Sequence, residues 1–196
     1  MLSTNNPFAA FEIWFAEAKQ HKQIIDHNAM ALATVNEQGA PSIRTVLLKK
    51  FSDSGLVFFT NLASQKAQEL QGNKQVCLNF YWEPLGKQIR VSGVAEQLND
   101  QEADAYFNSR ARGSQLSAIT SKQSQPLENY AIFEDELVAN TKKFSGQELV
   151  RPEYWSGFCV IPHRFEFWLA GDFRRHQRVV FTKEADSSWS EQMLYP

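Results

Sequence analysis

The sequence predicts a mainly β, antiparallel domain with added helices, an α+β fold running over residues 1–196. Three observations carry that expectation. Apolar segments are joined by turns too short for a crossover helix, which excludes a doubly wound parallel sheet. Strand-like segments flank a helical middle on both sides, so the terminal strands are expected to rejoin the first sheet. No linker, repeat or low-complexity tract divides the chain.

The elements follow in order. Asn6 before Pro7 reads as a helix start, because Pro fits the first turn and Asn caps it. Phe8, Phe11, Trp14, Phe15 and Ala18 then recur at helical spacing, predicting a helix over about 7–22 whose aromatic stripe packs on a core. The segments AMALATV, SIRTVLLKKF and LVFFTN, separated by the turns NEQGAP and SDSG, predict a meander. Ser64 before QKAQEL signals a short helix, after which QVCLNFYW and QIRVSGVAEQL form a hairpin around EPLGK. A helical insertion over about 100–145 comprises Asp100 to Arg110, Ser114 to Ile119 and Glu128 to about Phe144, punctuated by Pro126 and Pro152. GFCVIP, RFEFWLA, RRHQRVVFTK and SSWSEQMLYP then return to strand.

Composition narrows the function. Hydrophobic residues make up 43% and charged residues 21%, enough for a packed core, and the aromatic load of 15 Phe, 5 Tyr and 5 Trp needs a destination. With 20 Lys+Arg against 22 Asp+Glu, the net charge of −2 offers no field for nucleic acid, and RVSGVAEQL lacks the aromatic pattern of an RNA-binding sheet. No apolar run approaches the about 18 residues of a membrane helix, and MLSTNNPFAAFEIW carries Glu12 where a signal peptide is apolar. A cytoplasmic protein without a membrane partner is expected. Cys77 and Cys159 lack ligand spacing and read as buried free thiols. Dinucleotide, P-loop, nucleophile-elbow and zinc-protease motifs are missing, and four His make a metal centre improbable.

Four clusters of donors and cations remain. Arg44 and Lys49 lie on RTVLLKK; alternation puts 44, 46, 48 and 50 on one strand face and Thr45, Leu47 and Lys49 on the other. Lys66 follows a strand end and opens a helix beside Thr60 and Ser64, a seat for phosphate or a plain helix cap. Tyr106 and Arg110 share a helix face, with Arg112, Ser114, Lys122, Gln123 and Ser124 beyond them. Arg174, His176 and Arg178 alternate after Trp168 and are expected on one face of a strand, either sharing an anion or simply solvated. Together they suggest a site for more than one phosphate-bearing ligand with apolar walls.

RTVLLKK, VFFTNLASQKAQEL, QIRVSGVAEQL, YFNSRARGSQLSAITSKQS and FEFWLAGDFRRHQR, in this order, resemble the pyridoxamine 5′-phosphate oxidase family from about Asn28 to Pro196. The resemblance implies a homodimeric, FMN-binding split β-barrel with the flavin at the subunit interface. It implies FMN contacts from Arg44, Thr45, Val46, Leu47, Leu48 and Lys49, then Phe59, Thr60, Gln65 and Lys66, and also Gln88, Gln123, Ser124, Trp168 and Arg178. Lys49, Tyr106, Arg110 and Ser114 would hold a substrate phosphate, with Arg174 and His176 as the catalytic pair over the pyridine ring. Asp26 aligns with a family carboxylate, although its own neighbours favour a turn acid.

The implied reaction oxidises pyridoxine or pyridoxamine 5′-phosphate to pyridoxal 5′-phosphate, with O₂ as acceptor. Three departures stand out. Gln65 replaces the usual Arg, so weaker FMN binding is expected. The N-terminal segment whose Arg and Tyr close over the substrate has no match, which leaves a site without that lid or a shortened chain. MLYP lacks the Arg usual before the last leucine. The alternatives are a flavin oxidase of the phenazine-biosynthesis type and a non-catalytic FMN or pyridoxal-phosphate binder.

Overall fold

The computed structural model describes residues 4–196. Helix α1, Pro7–Gln20, begins where Asn6 Oδ1 accepts the backbone N–H groups of Phe8 and Ala9 at 2.8 and 3.3 Å. It buries Phe8, Phe11, Trp14 and Ala18, as their spacing requires, and Phe11 meets Phe51 and Phe80 edge-on at 4.9 and 5.2 Å. The aromatic excess is thus largely core.

The strands are β1 (Ala29–Val35), β2 (Pro41–Leu47), β3 (Lys50–Ser52), β4 (Gly55–Asn61), β5 (Gln75–Trp82), β6 (Lys87–Gln97), β7 (Trp155–Leu169), β8 (Gln177–Lys183) and β9 (Trp189–Leu194). They form one nine-stranded sheet in the order β2-β1-β5-β6-β7-β4-β3, with β8 on β7 and β9 on β8. Every pairing is antiparallel, so the terminal strands do rejoin the first meander.

Several local expectations are corrected. GFCVIP and RFEFWLA are one 15-residue strand, β7, because β6 pairs along its whole length. The single irregularity is a register shift at Ser92/Gly93 that leaves His163 unpaired and sets Pro162 opposite Gly93. A bulge is where a strand tolerates Pro, and a Cβ on Gly93 would lie 2.4 Å from the Ile161 carbonyl oxygen. The two ends of β7 then serve different neighbours: Trp155–Val160 pairs with β4 and Arg164–Leu169 with β8. SIRTVLLKKF is broken after Leu47, where Leu48 turns into the core at 3% exposure, so the face shared by 44, 46, 48 and 50 does not run through. Cys77 and Cys159 are free thiols but half-buried.

Helix α2 is Gln65–Gly72, and the helical excursion consists of α3 (Asp100–Ser109), α4 (Arg112–Thr120) and α5 (Tyr130–Lys143). The excursion has a small core of its own, Phe107, Leu116, Leu149 and Trp155, set against Phe59 of β4.

Candidate functional site

A cavity of about 670 Å³ opens between β2, β4, α3, α4 and the start of α2. Arg44, Thr45, Val46, Leu47, Lys49, Phe59, Thr60, Lys66, Tyr106, Arg110, Ser114 and Gln123 of the expected site all line it. The strand and helix readings thus converge on one space.

Two cation groups face this cavity, each held by different elements. In the first, Lys66 is 8% exposed, and its Nζ donates to Gln123 Oε1 at 2.8 Å, Thr60 Oγ1 at 3.2 Å and Ser64 Oγ at 3.3 Å. All three acceptors are neutral. Burial, and then the Arg44 charge, lower its pKa to about 8 against the opposing pull of Glu69. Ser64 makes no side-chain cap to α2; its hydroxyl serves Lys66 instead.

The second group stands on stacked aromatics. Phe59 stacks on Tyr106 at 3.9 Å and on Trp155 at 5.3 Å, and the Arg110 guanidinium lies 4.8 Å from the centre of a Trp155 ring. Arg110 Nη1 is buried without a hydrogen-bond partner. Burial pulls its pKa down, with Tyr106 opposing. A buried guanidinium nitrogen left unpaired carries a desolvation penalty that an anion relieves. Lys49 and Ser114 complete this group from exposed positions on the cavity wall.

The remaining expected residues lie elsewhere. Leu48 is core, Gln65 is exposed on α2, and Ser124, with φ 71°, lies just past Gln123 in the loop before α5. Gln88, Trp168, Arg174, His176 and Arg178 do not line the cavity. Gln88, Trp168 and Arg178 meet instead across β6, β7 and β8, where Gln88 pairs with Trp168 and Trp168 with Arg178; the His176 ring lies 4.5 Å from that of Trp168, and Arg174 stands in the turn before β8.

The expected alternation of Arg174, His176 and Arg178 on one strand fails. Only Arg178 is in β8, because Asp172–Arg174 forms a 3₁₀ turn in which Phe173 and Arg174 have φ of 54° and 63°. Two successive non-glycine residues in the left-handed region are strained, a feature that clusters at functional sites. The turn leaves Arg174 exposed and lets His176 Nδ1 accept the Gly171 N–H at 3.3 Å, so Nε2 is the nitrogen left to face a ligand. Arg178 is clamped through Nε and Nη2 to Glu166 Oε1 at 3.0 and 2.7 Å. Arg164 and Arg90 approach the same buried carboxylate at 3.0 and 3.4 Å.

Sequence reasoning missed Trp155, Phe133, Ser117 and Ser121, which also line the cavity, and the buried acids Glu69 and Glu166. For Glu69 a signal existed: it stands four residues after Gln65 on α2, hence on the same helix face.

Residues 16–140 match the family model described as pyridoxamine 5′-phosphate oxidase, and residues 155–196 match the pyridoxine 5′-phosphate oxidase C-terminal dimerisation region. The chain belongs to the pyridoxamine 5′-phosphate oxidase family. Similar curated proteins include the pyridoxine/pyridoxamine 5′-phosphate oxidases of Bartonella quintana, 46% identical over 100% of this chain and 95% of that protein, and Myxococcus xanthus, 48% identical over 97% and 92%. The crystal structure of PhzG from Burkholderia lata, in complex with tetrahydrophenazine-1-carboxylic acid, superposes with a TM-score of 0.92 at 27% identity, covering 99% of this chain and 94% of that one. A pyridoxamine 5′-phosphate oxidase-related, FMN-binding protein from Nostoc punctiforme shares the fold, with a TM-score of 0.78 at 15% identity over 98% and 100%. The curled antiparallel sheet is therefore the expected split barrel. In this pyridoxamine 5′-phosphate oxidase family member, Trp168, Arg174, His176 and Arg178 all fall within the dimerisation region.

Proposed function

We propose that the chain is an FMN-dependent oxidase converting pyridoxine 5′-phosphate or pyridoxamine 5′-phosphate to pyridoxal 5′-phosphate, acting as a homodimer. The observation that carries this reading is the pair of cation groups in one cavity, one of them ending in the unpaired Arg110 Nη1. A flavin mononucleotide and a phosphorylated substrate each bring a phosphate, and two seats are present for them. The donor set fits: Lys66, Thr60 and Gln123, with Arg44 alongside, suit the FMN phosphate, and Lys49, Tyr106, Arg110 and Ser114 suit the substrate phosphate.

FMN, held by Lys66, Thr60, Gln123 and Arg44, would supply the two-electron redox chemistry that links oxidation at the substrate C4′ to reduction of O₂ to H₂O₂. The residues provide orientation. Arg110 and Lys49 fix the phosphate, so the pyridine ring can lie in only one direction from it. Phe59 and Tyr106 wall the cavity and keep water from the ring. Arg174, exposed on its strained turn, covers the ring, and His176, whose Nδ1 accepts from Gly171, presents Nε2–H as a donor to the C4′ substituent, the proton released there passing to solvent.

The cavity and the Trp168–Arg178 group are separate surfaces of one chain, and the second lies in the dimerisation region. The reading that accommodates both places the FMN at the subunit interface, with the cavity of one protomer facing Trp168, Arg174, His176 and Arg178 of the other. A flavin oxidase of the phenazine-biosynthesis type is the competing activity, favoured by the fit to PhzG; its weakness is that it gives Lys49, Arg110 and Ser114 no phosphate to hold. Purified protein saturated with FMN and given pyridoxine 5′-phosphate in air should yield an aldehyde trapped as an amine adduct, together with H₂O₂. Absence of aldehyde overturns the assignment.

A further inference from the structure

The geometry points to Glu69, which does not line the cavity, as a positioning residue that holds Arg44 in place for the FMN phosphate. The inference rests on the cavity being the flavin site. Glu69 is 9% exposed and its carboxylate is saturated: Oε1 accepts from the Ser42 hydroxyl at 2.8 Å and Gln65 Nε2 at 2.9 Å, and Oε2 from Ser42 at 2.7 Å, Arg44 Nη2 at 3.2 Å and the Thr34 hydroxyl. Arg44 is tied down in turn. Its Nη1 donates to the Leu32 carbonyl at 3.2 Å and to Thr34 Oγ1, and its Nη2 to Ser42 Oγ at 2.5 Å.

Local structure explains why these groups meet. Ser42 and Arg44 alternate on one face of β2, and Thr34 of β1 stands opposite Ser42 in register. Gln65 and Glu69 lie one helical turn apart on α2, which packs on β1. The hairpin and the helix therefore close around one carboxylate.

Charge supplies the second part of the argument. Burial pushes the Glu69 carboxyl up, but the hydrogen bonds from Thr34, Ser42 and Gln65 and the Arg44 charge outweigh it and hold the pKa at about 2. Glu69 is thus an anion throughout the neutral range. It stands between two cations, Arg44 and Lys66, which otherwise repel each other across the same corner. Among the described residues, the charged groups acting on Lys66 are Arg44 from β2 and Glu69 from its own helix, while β4 and the loop at Gln123 offer only a hydroxyl and an amide. Glu69 therefore orients one phosphate ligand and sustains the charge of the other.

The test is FMN titration of apoprotein by fluorescence quenching across neutral to alkaline pH, on wild type, Lys66→Ala and Glu69→Gln. Glu69→Gln should weaken FMN by about tenfold at neutral pH. It should also move the alkaline loss of binding to lower pH, since Lys66 loses the anion that raises its pKa. Unchanged affinity, or weaker binding with the alkaline limb in place, overturns the inference, because a carboxylate that merely ties α2 to the hairpin has no route to the Lys66 titration. If Glu69→Gln does not fold, Ser42→Ala removes the hydroxyl bridging Glu69 and Arg44 while keeping both charges. It should weaken FMN about threefold, and no change refutes the positioning role. Wild-type binding that is indifferent to Lys66→Ala faults the site assignment itself, a failure separable from that of Glu69.

Discussion

The Arg110 guanidinium packs 4.8 Å from the centre of a Trp155 ring while its Nη1 is buried without a partner. The aromatic face holds the cation in position, and under the proposed function the free hydrogen-bonding capacity is what a substrate phosphate oxygen would satisfy. Arg110→Met keeps much of the packing and removes the charge. Its KM for pyridoxine 5′-phosphate should rise more than about tenfold, the loss of one charge-assisted bond of about 1.5–3 kcal/mol, while kcat changes little. Thermal stability of the apoprotein should hold, since an unsatisfied buried group is removed along with the cation–π contact. Steady-state kinetics and a melting curve check both halves, and an unchanged KM removes Arg110 from the phosphate seat.

Gln65 is exposed, and its amide donates to Glu69 Oε1 at 2.9 Å. An arginine there can keep the Glu69 contact and add a cation beside Arg44 and Lys66. Gln65→Arg should therefore tighten FMN binding by about tenfold, consistent with one added charge-assisted interaction. Equal affinity by fluorescence titration means that the replaced charge never reached the phosphate.

The cavity residues were legible in the sequence because each sat on a periodic element. Arg44 was placed by strand alternation, Thr60 and Lys66 by the junction of a strand end with a helix start, and Tyr106 and Arg110 by helical spacing. What escaped was set by tertiary geometry. Arg174 and His176 looked like strand residues, yet the chain spends Gly171 to His176 on a strained turn, and periodicity carries no mark of a left-handed Phe173. The unity of β7 was hidden by Pro162, whose missing N–H is absorbed by a bulge that only the partner strand reveals. Glu69 and Glu166 were not singled out, because the partners that settle their charge come largely from other elements, Arg44 of β2 for Glu69 and Arg90 of β6 and Arg178 of β8 for Glu166.

Lys66 is expected to couple FMN binding to protons. Its folded pKa of about 8 lies below the ordinary 10.5. The apoprotein thus carries a penalty in full below about pH 8, relieved as pH climbs towards 10.5, and apo stability from this group should rise over that window. A bound phosphate dianion restores the charge. FMN binding at about pH 9 should therefore take up a proton that binding at about pH 7 does not, a difference seen by calorimetry in two buffers of unlike ionisation enthalpy. Lys66→Met should abolish the uptake, and persistence of the uptake assigns it to another group.

The division of the site residues between the cavity and the Trp168–Arg178 surface has a consequence for mixed dimers. Arg110→Met damages the cavity, and Arg174→Ala with His176→Ala damages the strained turn; both Arg174 and the turn tip at Phe173 are exposed, so the fold should tolerate the change. Assayed with pyridoxine 5′-phosphate well below KM, each variant alone should keep less than about a tenth of wild-type activity. In a two-fold dimer whose sites each draw on both chains, a mixed dimer has one site with both lesions and one with neither. Random pairing makes about half the dimers mixed, so unfolding and refolding the two variants together should recover about a quarter of wild-type activity. If each chain instead builds its own site, every site keeps one lesion whatever the pairing, and no activity returns.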